Sequence, residues 1–463
     1  MKSSCLLIIL SLIGLFAVTS CKKYLEKKPN SKVLTPNTPA EFQGLLDNPD
    51  VFSYGHTLGL LSTDEIYFSP AYYDDKLTTW ERNAYIWDPK IFGPAEIPFD
   101  WSKAYEQIFN TNITLEGLIP LMSNTTEDRD LNKVRGDALF KRSLAHFQLA
   151  QLFAPAYEDA SADADMGIPL KLKTDAEEPV VRPNLRVCYN QILSDLNDAT
   201  ALLPARPDPA HLNRASKASA QALLARVHLY MGHWQASAIA AGNALTAYDS
   251  LMDYNAIDTT VKPLLKADNL EIVYLLKAPD MTDQNNLVVG LASEGANVDT
   301  QLIHLYVPHD LRLSIFFRQR NDKTWGIRYT LTGTRIPFEG IAVSEIYLTL
   351  AEAQARQGNT SAALACLNKL LIKRYTTGQI PTLPDSTDKQ AVLERILFER
   401  RLELPLRGLR WLDLKRLNKQ NRNITVARVV NTKPYSLKPN DLRYALPLPV
   451  TTVEKYELKQ NAR

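Results

Sequence analysis

Leu393-Glu-Arg-Ile-Leu-Phe-Glu-Arg-Arg-Leu-Glu-Leu-Pro-Leu-Arg-Gly-Leu-Arg-Trp-Leu-Asp-Leu-Lys-Arg-Leu417 reads as two helices separated by a break. Leu393, Ile396 and Leu397 share one helical face, and Leu404 extends the stripe. Pro405 biases Leu404 away from the α region, so the first helix is expected to stop there. Gly408 tolerates the turn, and Leu409, Leu412 and Arg416 restart a 3.6-residue period. Interleaved with these are Glu399, Arg400, Glu403, Arg410 and Asp413. A guanidinium fork matches a carboxylate. The five are therefore expected to satisfy one another as an ion-pair lock where the helices pack, rather than to form a ligand or catalytic cluster.

Upstream, helical patterning dominates. Tyr105, Ile108, Phe109, Ile113 and Leu118 keep one stripe, and 132–153 carries the strongest pattern, ending before Pro155. Val187–Leu203 is a further amphipathic helix, stopped by Pro204. In 215–247, Leu224-Ala225, Gly232, Trp234, Ala244 and Leu245 fall at tetratricopeptide-repeat positions, where small residues let two helices cross closely. Leu350-Ala351, Gly358, Ala363 and Leu370-Leu371 repeat the pattern. The two copies lie far more than one repeat apart, so a long insertion separates them. The expected fold is mainly α: four tetratricopeptide-like helical hairpins, within about 101–247 and 341–417, with long irregular loops and a few short strands. Glu271–Leu276 alternates like one of those strands.

The N-terminal part reads differently. Lys2, an apolar run over Leu6–Val18 and Val18-Thr-Ser-Cys21 have the order of a lipoprotein export signal over 1–20. Cys21 is the expected lipidated residue, and 21–33 a polar, proline-bearing tether. A helix within 34–61 is expected to be capped by Thr38, with Phe42, Leu45 and Leu46 inward. Asp64–Trp101 is crowded with aromatic residues, broken by prolines and acids, and follows no period. Such rings can present flat faces to a ligand. Tyr72, Tyr73, Trp80 and Trp87, with Trp325 from the late insertion, are the candidate stacking platform; Phe147 and Tyr230, on periodic helices, are expected in the core.

Composition excludes several classes. The chain has 463 residues, 45% hydrophobic and 22% charged, with a net charge of +2, which makes no case for a nucleic-acid partner. Cys188 and Cys366 are expected as buried thiols, with a disulfide between them left open. No nucleophile elbow, zinc helix, phosphate loop or dinucleotide fingerprint occurs, and the seven histidines have no ligand spacing. His228 and His233 read as packed or solvated. Counted from Asp159, the acidic loop puts Ala164 and Leu170 where a calcium hand needs Gly and Glu, so it reads as solvated. Asp64-Glu65 and Asp74-Asp75 have the residue types for a glycosidase acid and base, the weaker reading of those pairs. No catalytic residue, metal or cofactor is assigned.

Glu399-Arg-Arg-x-Glu-Leu followed by Gly408-x-Arg-Trp-x-Asp-Leu-x-Arg416 resembles the C-terminal signature of the SusD/RagB family of nutrient-binding outer-membrane lipoproteins. Pro405 and Arg407 depart from the usual pattern. Gly167-Ile-Pro-Leu170 and Tyr444-Ala-Leu-Pro-Leu-Pro449 are similar to further family steps. The resemblance implies one SusD-like domain over 34–463, with loop-rich ligand-facing segments at about 52–100 and 269–340. It also implies a non-catalytic, lipid-anchored, cell-surface protein of the outer membrane. Such a protein binds an oligosaccharide or other nutrient as the lid of a SusC-like TonB-dependent transporter. A repeat scaffold that binds only proteins and an all-α glycan hydrolase are the alternatives.

Overall fold

The computed structural model describes residues 36–463 apart from 53–56, 125–127, 259, 267, 277–286, 288–289 and 292–294. The expected export signal, the tether and Cys21 lie outside the described residues. The long helices are α1 (Phe99–Leu118), α2 (Arg129–Phe153), α3 (Leu185–Leu202), α4 (Lys217–Met231), α5 (Trp234–Ala247), α6 (Val343–Arg356), α7 (Thr360–Leu371), α8 (Lys389–Glu403) and α9 (Arg410–Lys419). From α1 to α7 each packs on the next in chain order, and α8 closes on α6 and α7. The stack therefore continues from α5 directly onto α6, and everything from 248 to 342 is looped out of it.

Local chemistry sets the boundaries. Asp128, Asn184, Ser216 and Asp388 cap α2, α3, α4 and α8 with their side chains. Such caps satisfy N–H groups that have no partner inside the helix. The two repeat glycines end α4 and the α6 turn in the left-handed region, Gly232 at φ 79° and Gly358 at φ 85°. A β-carbon is disfavoured in that conformation, which is why glycine stands at both turns. Helix α2 is buried on nearly every side, so its charged residues are paired: Lys141 with Asp137 at 2.8 Å and Arg142 with Asp195 at 2.7 Å. His146 lies among them, and burial pushes its imidazole down to about 3, so it stays neutral. Phe147 and Tyr230 are core residues, as expected. Thr38 caps the first described helix, Pro39–Leu46, with Glu41 completing a capping box.

The strands are short antiparallel pairs. β1 (Ile66–Phe68) pairs with β3 (Ala296–Val298), and β2 (Ile272–Tyr274) pairs with β6 (Ile341–Ala342). β4 (Phe317–Gln319) pairs with β5 (Trp325–Ile327), and β7 (Val426–Val430) pairs with β8 (Lys433–Leu437). The β2/β6 pair holds residues 272–274 of the insertion against the strand through which it rejoins the stack. The β1/β3 pair joins the insertion to the N-terminal aromatic segment.

Two expectations change, and one holds with a difference of degree. The segment 64–101 is not irregular throughout: Pro70–Asp75 and Thr79–Tyr85 are short helices, capped by Ser69 and Thr78. Each is too short to show a period. The helices flanking Pro405 do not pack mainly on each other. α8 ends at Glu403, but α9 lies mainly on α4 and the short helix Thr57–Leu61. Cys188 is buried and Cys366 half-buried, and both are free thiols.

Candidate functional site

The signature residues form part of a larger buried ion-pair network, and most of their partners come from elsewhere. Within the expected set, Arg400 reaches Asp413 at 2.9 Å. Glu399 instead meets Arg312 at 2.6 Å, and Glu403 meets Arg374 at 3.0 Å. Arg312 also holds Asp310, and Arg374 holds Glu271 beside β2. Arg416 joins Asp413 at 2.8 Å and Glu352 of α6 at 2.6 Å. Arg410 forks onto Asp64 at 2.8 and 2.7 Å, and Arg401 reaches the same carboxylate at 3.0 Å. The lock thus ties α8 and α9 to α6, to the insertion and to the start of the aromatic segment.

Asp64 and Glu65 show how finely this balance is set. Burial opposes ionisation of Asp64, but Arg401 and Arg410 outweigh it and hold the carboxyl well below its usual range. For Glu65, burial dominates and raises the carboxyl to about 7, despite Arg401 at 3.3 Å. With Asp64 held by two arginines, this pair is a structural clasp. Asp74 accepts from the Asn431 amide at 3.0 Å. Around the acidic loop, Arg186 takes Asp159 and Asp163, and His233 takes Asp159 at 2.9 Å. Among the described residues no group of three or more His, Cys, Asp or Glu could hold a metal ion.

A cleft of about 650 Å³ opens where the aromatic segment meets the β7/β8 hairpin. That size is typical of a small-molecule site. Tyr67, Phe68, Tyr73 and Tyr85 line one side, Tyr435 and Ser436 the other, with Asp299 and Gln301 entering from the insertion. The rings are mutually braced: Phe68 meets Tyr85 edge-on at 4.9 Å, and Tyr73 meets Tyr85 at 5.7 Å. Arg428 of β7 lays its guanidinium over Tyr85 at 3.9 Å and Trp87 at 4.2 Å. It also donates to the carbonyls of Leu61 and Thr63. Asn431 and Thr432 turn the hairpin with φ of 48° and 68°, the double left-handed turn that matches strand twist. From that turn Asn431 fastens the hairpin to Asp74.

Of the five rings expected to form a platform, the structure places Tyr73 in the cleft. Its hydroxyl is pushed up to about 12, first by burial and then by Tyr435. Trp87 is a correction. It is 1% exposed and its indole donates to the Ser62 carbonyl at 3.0 Å, so it cannot stack on a ligand. A buried indole takes such a position because its large apolar area and its single N–H are both satisfied there. Tyr72 stacks on Phe68 at 5.9 Å and lies against Gly290 and Gly295, outside the cleft lining. Trp80 and Trp325 are half-buried against the core and do not line the cleft either. The sequence reading missed the β7/β8 hairpin. Its signal was Val426-Ala-Arg-Val-Val and Lys433-Pro-Tyr-Ser-Leu flanking Asn431-Thr432.

A second cleft, of about 400 Å³, lies between Pro155–Met166 and the C-terminal segment. Several of its charged groups are engaged with the protein. Lys415 donates to the carbonyls of Gln151 and Ala154 at the end of α2, Lys419 pairs with Glu158, and Asp441 pairs with Arg443. Tyr444 is its one aromatic lining residue. The ring-lined cleft is therefore the candidate binding site.

Comparison with known proteins bears on both regions. Residues 23–229 match a family model described as SusD-like, starch-binding and associating with the outer membrane, and residues 316–461 match the SusD family model. A SusD-like protein, P38, of Formosa agariphila is 36% identical over 80 residues, a stretch that spans 16% of each chain. A SusD superfamily protein of Bacteroides thetaiotaomicron superposes with a TM-score of 0.75 at 21% identity, over 92% of this chain and all of that one. A SusD superfamily protein of Bacteroides vulgatus gives 0.73 at 19% identity, over 92% and 99%. A laminarin-binding SusD-like protein gives 0.65 at 19% identity, over 91% and 98%. At these identities the structural likeness speaks for the fold.

Proposed function

This chain belongs to the SusD/RagB family, and from that premise we propose that it captures an oligosaccharide in the cleft between the aromatic segment and the β7/β8 hairpin. The observation that carries the reading is the cleft itself. Braced aromatic rings beside Asp299, Gln301 and Ser436 give stacking surface and hydrogen-bonding groups in one place. Sugars need both, because their CH faces pack on rings while their hydroxyls need polar partners. In this reading the protein binds without catalysis. Cys21 carries the lipid that anchors it at the outer cell surface, and a SusC-like TonB-dependent transporter takes up what it holds. No helix among the described residues is long and apolar enough to cross a membrane, which is compatible with a lipid anchor.

Calorimetric titration of the purified protein with a panel of oligosaccharides tests the binding step, with product analysis on the same samples. Saturable binding without turnover supports the reading, and turnover would favour a hydrolase. Mild-detergent purification of the tagged protein should recover a much larger barrel partner. Release of the Cys21→Ala variant from membranes at high salt tests the anchor.

A further inference from the structure

Building on that ligand site, we propose that the cleft selects neutral saccharides over those carrying carboxylate or sulfate groups, with Asp299 as the residue that sets the preference. The charged residues among the cleft lining are Asp299 and Arg428. Arg428 is engaged elsewhere: it donates to two backbone carbonyls, at 3.2 and 2.6 Å, and its plane is covered by Tyr85 and Trp87. A guanidinium held in this way braces the wall and is not a receptor for an anion. Lys433, at the hairpin turn, lies outside the lining with its ammonium 5.2 Å from the centre of the Tyr435 ring.

Asp299 is placed differently. It caps the short helix Thr300–Ile303, accepting from the Gln301 N–H at 2.7 Å through one carboxylate oxygen, and its own N–H is anchored on the Glu65 carbonyl. The residue is half-exposed at the cleft wall. Its charge reaches Tyr67 on the neighbouring strand β1: burial first, then Asp299 and Asp322, raise that hydroxyl above its ordinary value. Tyr67 therefore remains protonated beside a carboxylate. The wall offers a charged acceptor and neutral hydroxyls and amides. A sugar hydroxyl can donate to the acceptor in a charge-assisted bond. A uronate or sulfate would meet a like charge instead, and like-charge juxtaposition is a strong means of rejecting a partner.

The test titrates wild type and Asp299→Asn with neutral gluco-oligosaccharides, oligogalacturonides and sulfated oligosaccharides of matched length. Asparagine caps helices as well as aspartate does, so the melting temperature should hold while the charge is removed. Wild type should bind at least one neutral series at least about tenfold more tightly than either acidic series. Asp299→Asn should close most of that gap. Acidic sugars that bind wild type as well as neutral ones overturn the selectivity while leaving the ligand-site reading intact. So does an unchanged ratio in Asp299→Asn. Absence of binding to every series overturns both. Binding that is indifferent to Tyr435→Ala and Asp299→Asn alike removes the site from this cleft.

Discussion

The ion-pair lock and the aromatic cleft are built from the same ingredients, arginines and flat rings, used in opposite ways. In the lock, Arg374 faces Glu403 and Glu271 and sits over Tyr254 at 4.0 Å, with every group buried. In the cleft, Arg428 stacks on Tyr85 and Trp87 from behind, and the opening is left to Tyr67, Tyr435 and Asp299. Burial decides the difference. A fully desolvated charge must be neutralised on all sides and has nothing left for a ligand. A half-exposed ring or carboxylate keeps one face in reserve.

The largest effect should come from breaking the lock. Arg374→Ala leaves Glu271 and Glu403 buried without their shared cation, and removing one partner of a buried pair costs about 3–5 kcal/mol. Denaturant unfolding should show that loss, and a change below about 1 kcal/mol would mean that solvent reaches the pair.

Rings on the two sides of the cleft wall should then separate. Trp87→Ala removes a core side chain and should cost about 3–5 kcal/mol of stability. Tyr435→Ala should leave the melt nearly unchanged and lower oligosaccharide affinity by about 2 kcal/mol, roughly thirtyfold. A Tyr435→Ala variant that melts like Trp87→Ala would make the cleft a piece of core.

Carboxyls governed by burial and carboxyls governed by arginines should also respond to pH with opposite signs. Asp100, which accepts from the Leu58 N–H beside the aromatic segment, is raised by burial to about 8. Between about pH 4 and 8 the folded state keeps a proton that the unfolded state has lost, so this group weakens the fold as pH rises. The slope is at most about 1.4 kcal/mol per pH unit. For Glu352 in the lock, burial opposes ionisation, but Arg416 and Arg356 prevail and hold it at about 2. Its contribution is complete above the ordinary glutamate range and is lost as pH falls from about 4.5 towards 2. Stability measured across pH for Asp100→Asn should show a shallower upper slope, with the share of Glu65 remaining up to about pH 7, and keep the lower one. An unaltered upper slope would assign it to Glu65, whose carboxyl is also raised.

The smallest effect is the control. Lys419 and Glu158 pair at 3.2 Å on the surface with both side chains well exposed, so Lys419→Ala should change stability by less than about 1 kcal/mol. A larger change would show that charge pairing stabilises this protein irrespective of burial.

What the sequence determined by itself was whatever rests on near neighbours. Periodicity over a few turns marked α2, α3 and the two repeat hairpins. Gly232 and Gly358 marked their turns, Thr38 marked a cap, and the residue types of 399–413 marked an ion-pair lock. The helices, turns and cap depend on contacts within about one or two turns, where spacing is geometry, whereas for the lock the residue types told only that charges would pair. Tertiary structure alone decided who pairs with whom. Arg410 finds Asp64 from 346 positions away, and Glu399 finds Arg312 from 87. The same limit hid the cleft. Trp87 and Tyr435 look alike as rings in proline-broken sequence, but Trp87 is sealed beneath Arg428 and Tyr435 lines the opening. Exposure belongs to the packed assembly of distant segments, and no local pattern encodes it.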